Sequence, residues 1–420
     1  MNFPFSNGRL SAGSARRRLR QKHRSPPVSL TQLLQPVGLD VFFSRYYERE
    51  ALVIHREQPG YYDGLLSLHT LDELITGTAL SCDEIAVVDH SRNIEPEDYQ
   101  REDESVDAVQ VHKLYDEGAT ITLRQLQRRV AALNRLCGGV ARQLSCACQT
   151  NLYFTPANAQ GLETHHDTHD VFILQLAGSK RWQTYEPAVS LPLPGQRYYW
   201  KRPPAGPPAS AFTLQPGDLF YCPRGTPHDA QSAQEASVHI SLGAIVSTWA
   251  ELMIELVADV ALRDPAFRDS LPPDFARDGI PTQAMDAKLQ DLFARLQSQA
   301  RPRHVLEQLA DRFVSDQPAQ LSGQAATLRA AASLNLGSLV GVRPGLIYRV
   351  SGQRGKITLL CNSRRIALPD YTASALAFAL ASESFRIEDL PGSLTDSGKI
   401  VLIRRLMQEG AIVSVTTDGG

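Results

Sequence analysis

Two imidazoles and one carboxylate gathered on one side of a metal leave the opposite positions open, the donor set that non-haem Fe(II) oxygenases require. His165, Asp167 and His228 offer such a set. His165 and Asp167 stand two apart in Thr164-His-His-Asp-Thr-His-Asp170, and residues two apart in a strand share a face, so both are expected to aim at one point while His166 points away. His228 is expected to join them from the turn that follows Tyr221-Cys-Pro223. Five of the eleven histidines fall between 165 and 239. An HxD triplet nevertheless arises easily by chance, so the residues around it must decide.

Those residues predict short strands. From 151 the chain alternates Leu152 and Phe154 with Asn151, Tyr153 and Thr155, the two-residue repeat of a strand whose polar side can face a pocket. Val171 to Leu176 is a short apolar run, Gly178 marks a turn, and Lys180 to Tyr185 reads as the returning strand. Pro216-Gly-Asp218 is a turn, followed by strands at Leu219–Tyr221 and Ser237–Val246. Several short strands joined by Gly and Pro turns argue for a small β-barrel or sandwich. The proline-rich residues 186 to 210 read as an insertion between strands.

Gly217, Pro223, Gly225 and His228 form a G-x5-P-x-G-x2-H pattern that resembles the second motif of the cupin superfamily, whose fold is a double-stranded β-helix. Many metal cupins carry HxH and a following Glu as the first motif. His165-x-Asp167 departs from that and favours the branch using 2-oxoglutarate. The likeness then narrows. Asn151-Leu-Tyr-Phe-Thr-Pro-Ala-Asn-Ala-Gln-Gly161, His165-His-Asp167, Val171-Phe-Ile-Leu-Gln-Leu-Ala-Gly-Ser-Lys-Arg-Trp182 and Leu214-Gln-Pro-Gly-Asp-Leu-Phe-Tyr-Cys-Pro-Arg-Gly-Thr-Pro-His228 resemble, in order and spacing, the JmjC ribosomal oxygenases, which hydroxylate residues of ribosomal proteins.

The resemblance implies His165, Asp167 and His228 as Fe(II) ligands and Lys180 as the cation that meets the distal carboxylate of 2-oxoglutarate. A dianion in a low-dielectric barrel needs such a partner, although on residue type alone Lys180 reads equally as an exposed turn lysine. Asn151, Tyr153 and Ser241 are expected as hydrogen-bond donors around the co-substrate, or else as satisfied polar groups of the barrel wall. His239 is expected as a buried, hydrogen-bonded core residue, Asp170 as a supporting carboxylate or the start of the strand, and Trp182 as pocket wall or core. The implied reaction couples oxygen-dependent hydroxylation of a protein side chain, His or Arg of a ribosomal protein, to decarboxylation of the keto acid to succinate. Hydroxylation of a peptide or small metabolite with the same triad, and a non-catalytic cupin scaffold, are the alternatives.

The flanks complete an α+β architecture: a double-stranded β-helix (JmjC/cupin barrel) with flanking helices, a helical dimerisation-type region and a C-terminal winged-helix-like domain. At 420 residues the chain exceeds what one core organises. Residues 1–28 carry seven Arg and Lys and few apolar residues, and are expected as a disordered basic arm. Residues 29–246 form the catalytic domain. Within it, Ile121, Leu123, Leu126, Val130, Leu133, Leu136 and Val140 suggest one long helix across 120–145. Residues 247–334 show helical stripes (Trp249, Leu252, Met253, Leu256; Leu289, Leu292, Phe293, Leu296), the place where the family dimerises. Residues 335–420 follow a winged-helix-like order.

A formal net charge of −2, with 43% hydrophobic and 21% charged residues, gives no global field for nucleic acid, and the absence of a dense basic helix argues against direct nucleic-acid binding. Six scattered cysteines without a CxxC pair suggest neither structural zinc nor disulfides and point to a reducing cytoplasm. No apolar run approaches the roughly 20 residues of a membrane span.

Overall fold

The computed structural model describes residues 27–415 except 78–79, 199–206, 274, 278–281, 320 and 354. The expected basic arm therefore lies outside the described residues but for Pro27 and Val28, as does part of the 186–210 insertion.

Before the barrel come α1 (Leu30–Leu33), α2 (Leu39–Val41), a π-helical turn over Phe42–Tyr46, β1 (Leu52–Ile54), α3 (Leu68–Gly77), β2 (Ile85–Val88), α4 (Ala108–Asp116), β3 (Thr120–Leu123) and α5 (Ala131–Leu144). The long helix expected across 120–145 is thus corrected to a strand, a 3-10 turn (Leu126–Arg128) and a shorter helix. Ile121 and Leu123 are two apart, a spacing that puts them on opposite sides of a helix but on one face of a strand. β3 pairs with β2 on one side and with the next strand on the other, and Gln125 in the left-handed region, at φ 54°, ends the strand before α5 can begin.

Seven strands follow: β4 (Ala147–Thr155), β5 (Asp170–Ala177), β6 (Lys180–Thr184), β7 (Ser210–Leu214), β8 (Leu219–Cys222), β9 (His228–Ser232) and β10 (Ser237–Ile245). They form two sheets, a large one in the order β1-β8-β5-β10-β4-β3-β2 and a small one in the order β7-β6-β9. Alternation in the sequence sorts their side chains. Phe172, Leu174, Leu219, Tyr221, Leu152, Ile240 and Leu242 pack outward against the helices in the main core, whereas Val171, Ile173, Phe220 and Cys222 turn inward to meet Trp182 and Leu214 of the small sheet. β5, β8 and β10 are buried on both faces, whereas the small sheet leaves its outer face to solvent at Arg181, Thr213 and Gln231.

After the barrel lie α6 (Trp249–Arg263), α7 (Thr282–Gln299) and α8 (Pro302–Asp316). α6 opens on a capping box in which Thr248 and Glu251 satisfy each other's backbone amides. The C-terminal part holds α9 (Gln324–Ala331), β11 (Leu339–Val342), β12 (Tyr348–Gln353), β13 (Lys356–Cys361), β14 (Arg364–Pro369), α10 (Ala373–Ala381), β15 (Phe385–Arg386), α11 (Asp396–Gln408) and β16 (Ile412–Ser414). Its strands make a β12-β13-β14 meander and a β15-β11-β16 sheet around a separate core. A small third cluster, Ala141 of α5, Val314 of α8, Ile347 and Leu360, joins barrel, helices and C-terminal part.

Candidate metal and co-substrate site

His165 and Asp167 do not lie in a strand. They occupy the connection between β4 and β5, where His165 makes an isolated antiparallel bridge with His228, the first residue of β9. That corrects two expectations: convergence does not come from strand alternation, and His228 is a strand residue rather than a turn residue. The bridge is reciprocal, the His165 amide donating to the His228 carbonyl (3.1 Å) and the His228 amide to that of His165 (2.8 Å), while the Gly225 amide donates to the Asp167 carbonyl (2.9 Å). Gly225 has φ +87°, and a Cβ there would lie 2.4 Å from the Val189 carbonyl oxygen, so this turn needs glycine.

The result is a compact donor set. One ligand atom each from His165, Asp167 and His228 lies within 4.8 Å of the others, the two rings are 4.6 Å apart, and His228 Nε2 is 3.8 Å from Asp167 Oδ2. Both imidazoles are locked through Nδ1, which faces the Glu163 carbonyl at 2.8 Å in His165 and the Thr226 carbonyl at 3.0 Å in His228. A proton held on Nδ1 by a carbonyl leaves the Nε2 lone pair free to coordinate. Burial, then the neighbouring His165, pushes the His228 pKa down to about 4, so that ring is neutral and ready to bind a cation.

The same cavity, between the two sheets, is lined by Lys180, Trp182, Tyr153, His239 and Ser241. Lys180 begins β6 two residues after Gly178, whose φ of +60° and 2.0 Å approach of a virtual Cβ to the Ala236 carbonyl make the turn glycine-dependent. Lys180 is 4% exposed, which excludes the exposed-turn reading. Its Nζ donates to Thr155 Oγ1 at 3.0 Å, no carboxylate pairs with it among the described residues, and burial lowers its pKa to about 7. A buried ammonium without a counter-charge fits an anionic ligand.

Tyr153 and Ser241 face the cavity as expected, on the β4–β10 ladder where His239 opposes Tyr153 and Ser241 opposes Asn151. Asn151 itself is set behind the wall: its Oδ1 accepts from the Gln125 amide at 3.0 Å and its side chain bonds Tyr153. Burial, then the Asp167 charge, raises the Tyr153 pKa and keeps the phenol protonated.

His239 departs from the expectation of a hydrogen-bonded core residue. It is 3% exposed and stacks on Tyr153 at 4.8 Å, yet its Nδ1 has no partner, and neither has Trp182 Nε1. Such orphaned polar atoms beside a cavity call for a ligand or water. His166 is buried away from the triad, with Nε2 3.2 Å from the Gln196 carbonyl, and edge-on to Tyr198. His169 lies against Gly243. Asp170 is a supporting carboxylate: it accepts from the Arg224 amide at 2.9 Å and faces Nη1 of Arg224 at 3.5 Å, and Arg224 in turn reaches Glu48 at 2.6 Å. Thr155, the partner of Lys180, shares a strand face with Asn151 and Tyr153, and the two-residue period that picked those out would have found it.

Such a barrel with a His-x-Asp and distant His set defines the JmjC class of cupins, and residues 123–252 match the family model described as JmjC domain. The likeness to ribosomal oxygenases read from the chain's motifs holds in the comparisons. The chain is 32% identical over 264 residues to ribosomal oxygenase 2 of Rattus norvegicus, covering 59% of this chain and 55% of that one. It is 30% identical over 251 residues to the bifunctional lysine-specific demethylase and histidyl-hydroxylase NO66 of Drosophila yakuba, covering 58% and 37%. The chain thus spans about half or less of the length of these relatives. Among solved structures, the Escherichia coli ribosomal oxygenase YcfD in complex with cobalt and 2-oxoglutarate is similar with a TM-score of 0.51 at 19% identity, over 90% of this chain and 98% of that one, a likeness of fold.

Proposed function

We propose that the protein is an Fe(II)- and 2-oxoglutarate-dependent oxygenase that hydroxylates a protein side chain, His or Arg of a ribosomal protein. The observation that carries this reading is the convergence, in one cavity, of a His-Asp-His donor set and a buried ammonium lacking a counter-charge. His165, Asp167 and His228 would hold the iron. Lys180 would bind the distal carboxylate of the keto acid, with Tyr153, Ser241 and the unpartnered His239 Nδ1 and Trp182 Nε1 lining the space around it and Asn151 bracing Tyr153. Iron and keto acid, when bound, supply the oxygen-activating chemistry. The chain's own contributions are orientation of the ligands through their Nδ1 contacts, neutrality of His228, and exclusion of water by Val171, Ile173 and Trp182.

Self-association is part of the proposal. Trp249, Ile254 and Leu262 of α6 and Phe293 of α7 are 82%, 68%, 81% and 65% exposed, a density of apolar surface that supports pairing of residues 247–334 with a second copy. Residues 335–420 serve as a winged-helix-like domain for protein contact. The six cysteines are free thiols, consistent with a reducing cytoplasm, and no helix among the described residues is long and apolar enough to cross a membrane.

The test is succinate release with Fe(II) and a ribosomal-protein peptide pool. Activity in the wild type that is lost in His165→Ala supports the enzyme; no activity with any pool leaves a cupin scaffold. Ribosomal proteins from cells lacking the chain should each be compared for a missing increment of roughly 16 daltons, one oxygen atom, as hydroxylation requires.

A further inference from the structure

A second cleft, about 580 Å³ in volume, lies between the start of α5 and the C-terminal part. Arg128, Arg129 and Arg135 line it from one side and Arg343 from the other, and no Asp or Glu lines it among the described residues. Arg129 is neutralised by Glu84 at 2.7 Å. Arg128 and Arg135 make no ion pair among the described residues. Arg343 is 4% exposed, and its guanidinium donates only to neutral acceptors, the Gly410 and Ser322 carbonyls and the Gln324 side-chain oxygen. Burial of a full positive charge without a carboxylate is unfavourable unless an anion offsets it.

Two helices also begin at this cleft. α5 starts after Val130 and α9 after Gly323, and neither has a side-chain cap or an acidic residue in its first turn. Each helix start carries about half a positive charge and presents amides to an oxyanion. The guanidiniums of Arg128 and Arg135 and two bare helix starts thus face one open space, with Arg343 set in its wall against backbone carbonyls. No Phe, Tyr or Trp lines the cleft, so it offers no aromatic platform for bases.

From this we infer that the cleft binds the sugar–phosphate backbone of a nucleic acid, without reading its sequence. The helix starts and guanidinium forks match phosphate oxygens, and the volume exceeds what a single phosphate fills. No single helix supplies the charge. Arginines more than 200 residues apart are brought together by folding, so no dense basic helix marks the cleft in the sequence.

The experiment uses the full chain and a short, fluorescently labelled single-stranded RNA of mixed sequence, followed by anisotropy across a salt series. Binding is expected, with log K falling as log salt rises by roughly 0.7 for each phosphate neutralised. Arg128→Gln with Arg135→Gln should weaken binding about tenfold or more and flatten the slope by roughly 1 to 2 units. Arg128→Lys with Arg135→Lys should keep the slope, which separates lost charge from misfolding, and Arg303→Gln on the remote face of α8 should change nothing. An unchanged affinity and slope in the Gln pair overturns the assignment. So does saturation by inorganic phosphate without RNA binding, or displacement of RNA by polyglutamate at equal charge concentration, which would assign the cleft to a small anion or an acidic peptide. His165→Ala should bind RNA like the wild type, so the outcome is separable from that of the hydroxylation test.

Discussion

At the scale of single residues, Lys180 is where electrostatics and ligand choice meet. Its folded-state pKa of about 7 lies below the ordinary 10.5, so the unfolded chain holds the proton more tightly. The burial penalty is then fully present below about pH 7 and fades as pH rises from 7 towards 10.5. Lys180→Met, which keeps the volume and removes the charge, is expected to raise the melting temperature of the ligand-free protein at pH 6 and to have little effect at pH 10, by scanning calorimetry. The same substitution should weaken 2-oxoglutarate binding by at least tenfold at pH 6.5, measured by calorimetric titration, because a charge-assisted contact to a carboxylate is lost. Loss of stability at pH 6 in the variant would show that Thr155 alone satisfies the ammonium. The triad was legible in the sequence because HxD and G-x5-P-x-G-x2-H fix residue types at fixed offsets. The unpartnered ring of His239 was not, since strand position says which face a side chain takes and not whether an acceptor waits there.

At the scale of elements, two short connections set the site. Gly178 turns β5 into β6 with a positive φ and a backbone oxygen where a Cβ would go. Gly178→Ala should cost roughly 1–3 kcal/mol in stability by chemical denaturation, and it should also raise KM for 2-oxoglutarate, since Lys180 follows two residues later. The β8–β9 turn, in turn, is clamped by Asp170 and Arg224. Asp170→Ala removes an acceptor from the Arg224 amide and frees the turn that presents His228, so Co(II) affinity, followed by the cobalt visible spectrum, should fall about tenfold. Unchanged cobalt binding would mean that the Glu48 contact suffices. The strands that carry these turns are legible at 151–155, 171–176, 180–185 and 237–246, where alternation, an apolar run or a flanking glycine turn marks them. The departure lies at 120–145: Leu123, Leu126, Val130, Leu133, Leu136 and Val140 keep helical three- and four-residue steps that hide the strand step from Ile121 to Leu123, and the left-handed Gln125 that separates β3 from α5 leaves no mark in residue type. β9 escaped notice because His228-Asp-Ala-Gln-Ser232 is polar; it pairs with β6 in a small sheet that needs only one apolar face.

For the whole molecule, the sequence made the order of barrel, helices and C-terminal strands visible, since the hydrophobic period changes at each border. How those parts lean on one another was not visible, because it depends on contacts between residues far apart in the chain. Exposed Trp249 and Ile254 on α6 give one such prediction: under the proposed self-association, the wild type should sediment as a dimer and Trp249→Glu with Ile254→Glu as a monomer, with the melting temperature of the barrel nearly unchanged, since neither side chain is buried in the chain itself. The join between barrel and C-terminal part is slight. Beyond the four buried side chains of its apolar seam, the C-terminal part is tied to α8 by Asp311, which Arg349 and Arg365 approach at 3.3 and 3.1 Å from β12 and β14, and by hydrogen bonds from Arg349 and Ser363 to the Glu307 and Ser315 carbonyls. Half-exposed pairs of that kind are screened by electrolyte. The angle at which the C-terminal wing is carried is therefore tunable from outside: concentrated salt loosens it, an anionic polymer lying across both parts would tighten it, and the particle's radius of gyration becomes a readout of what the protein is holding.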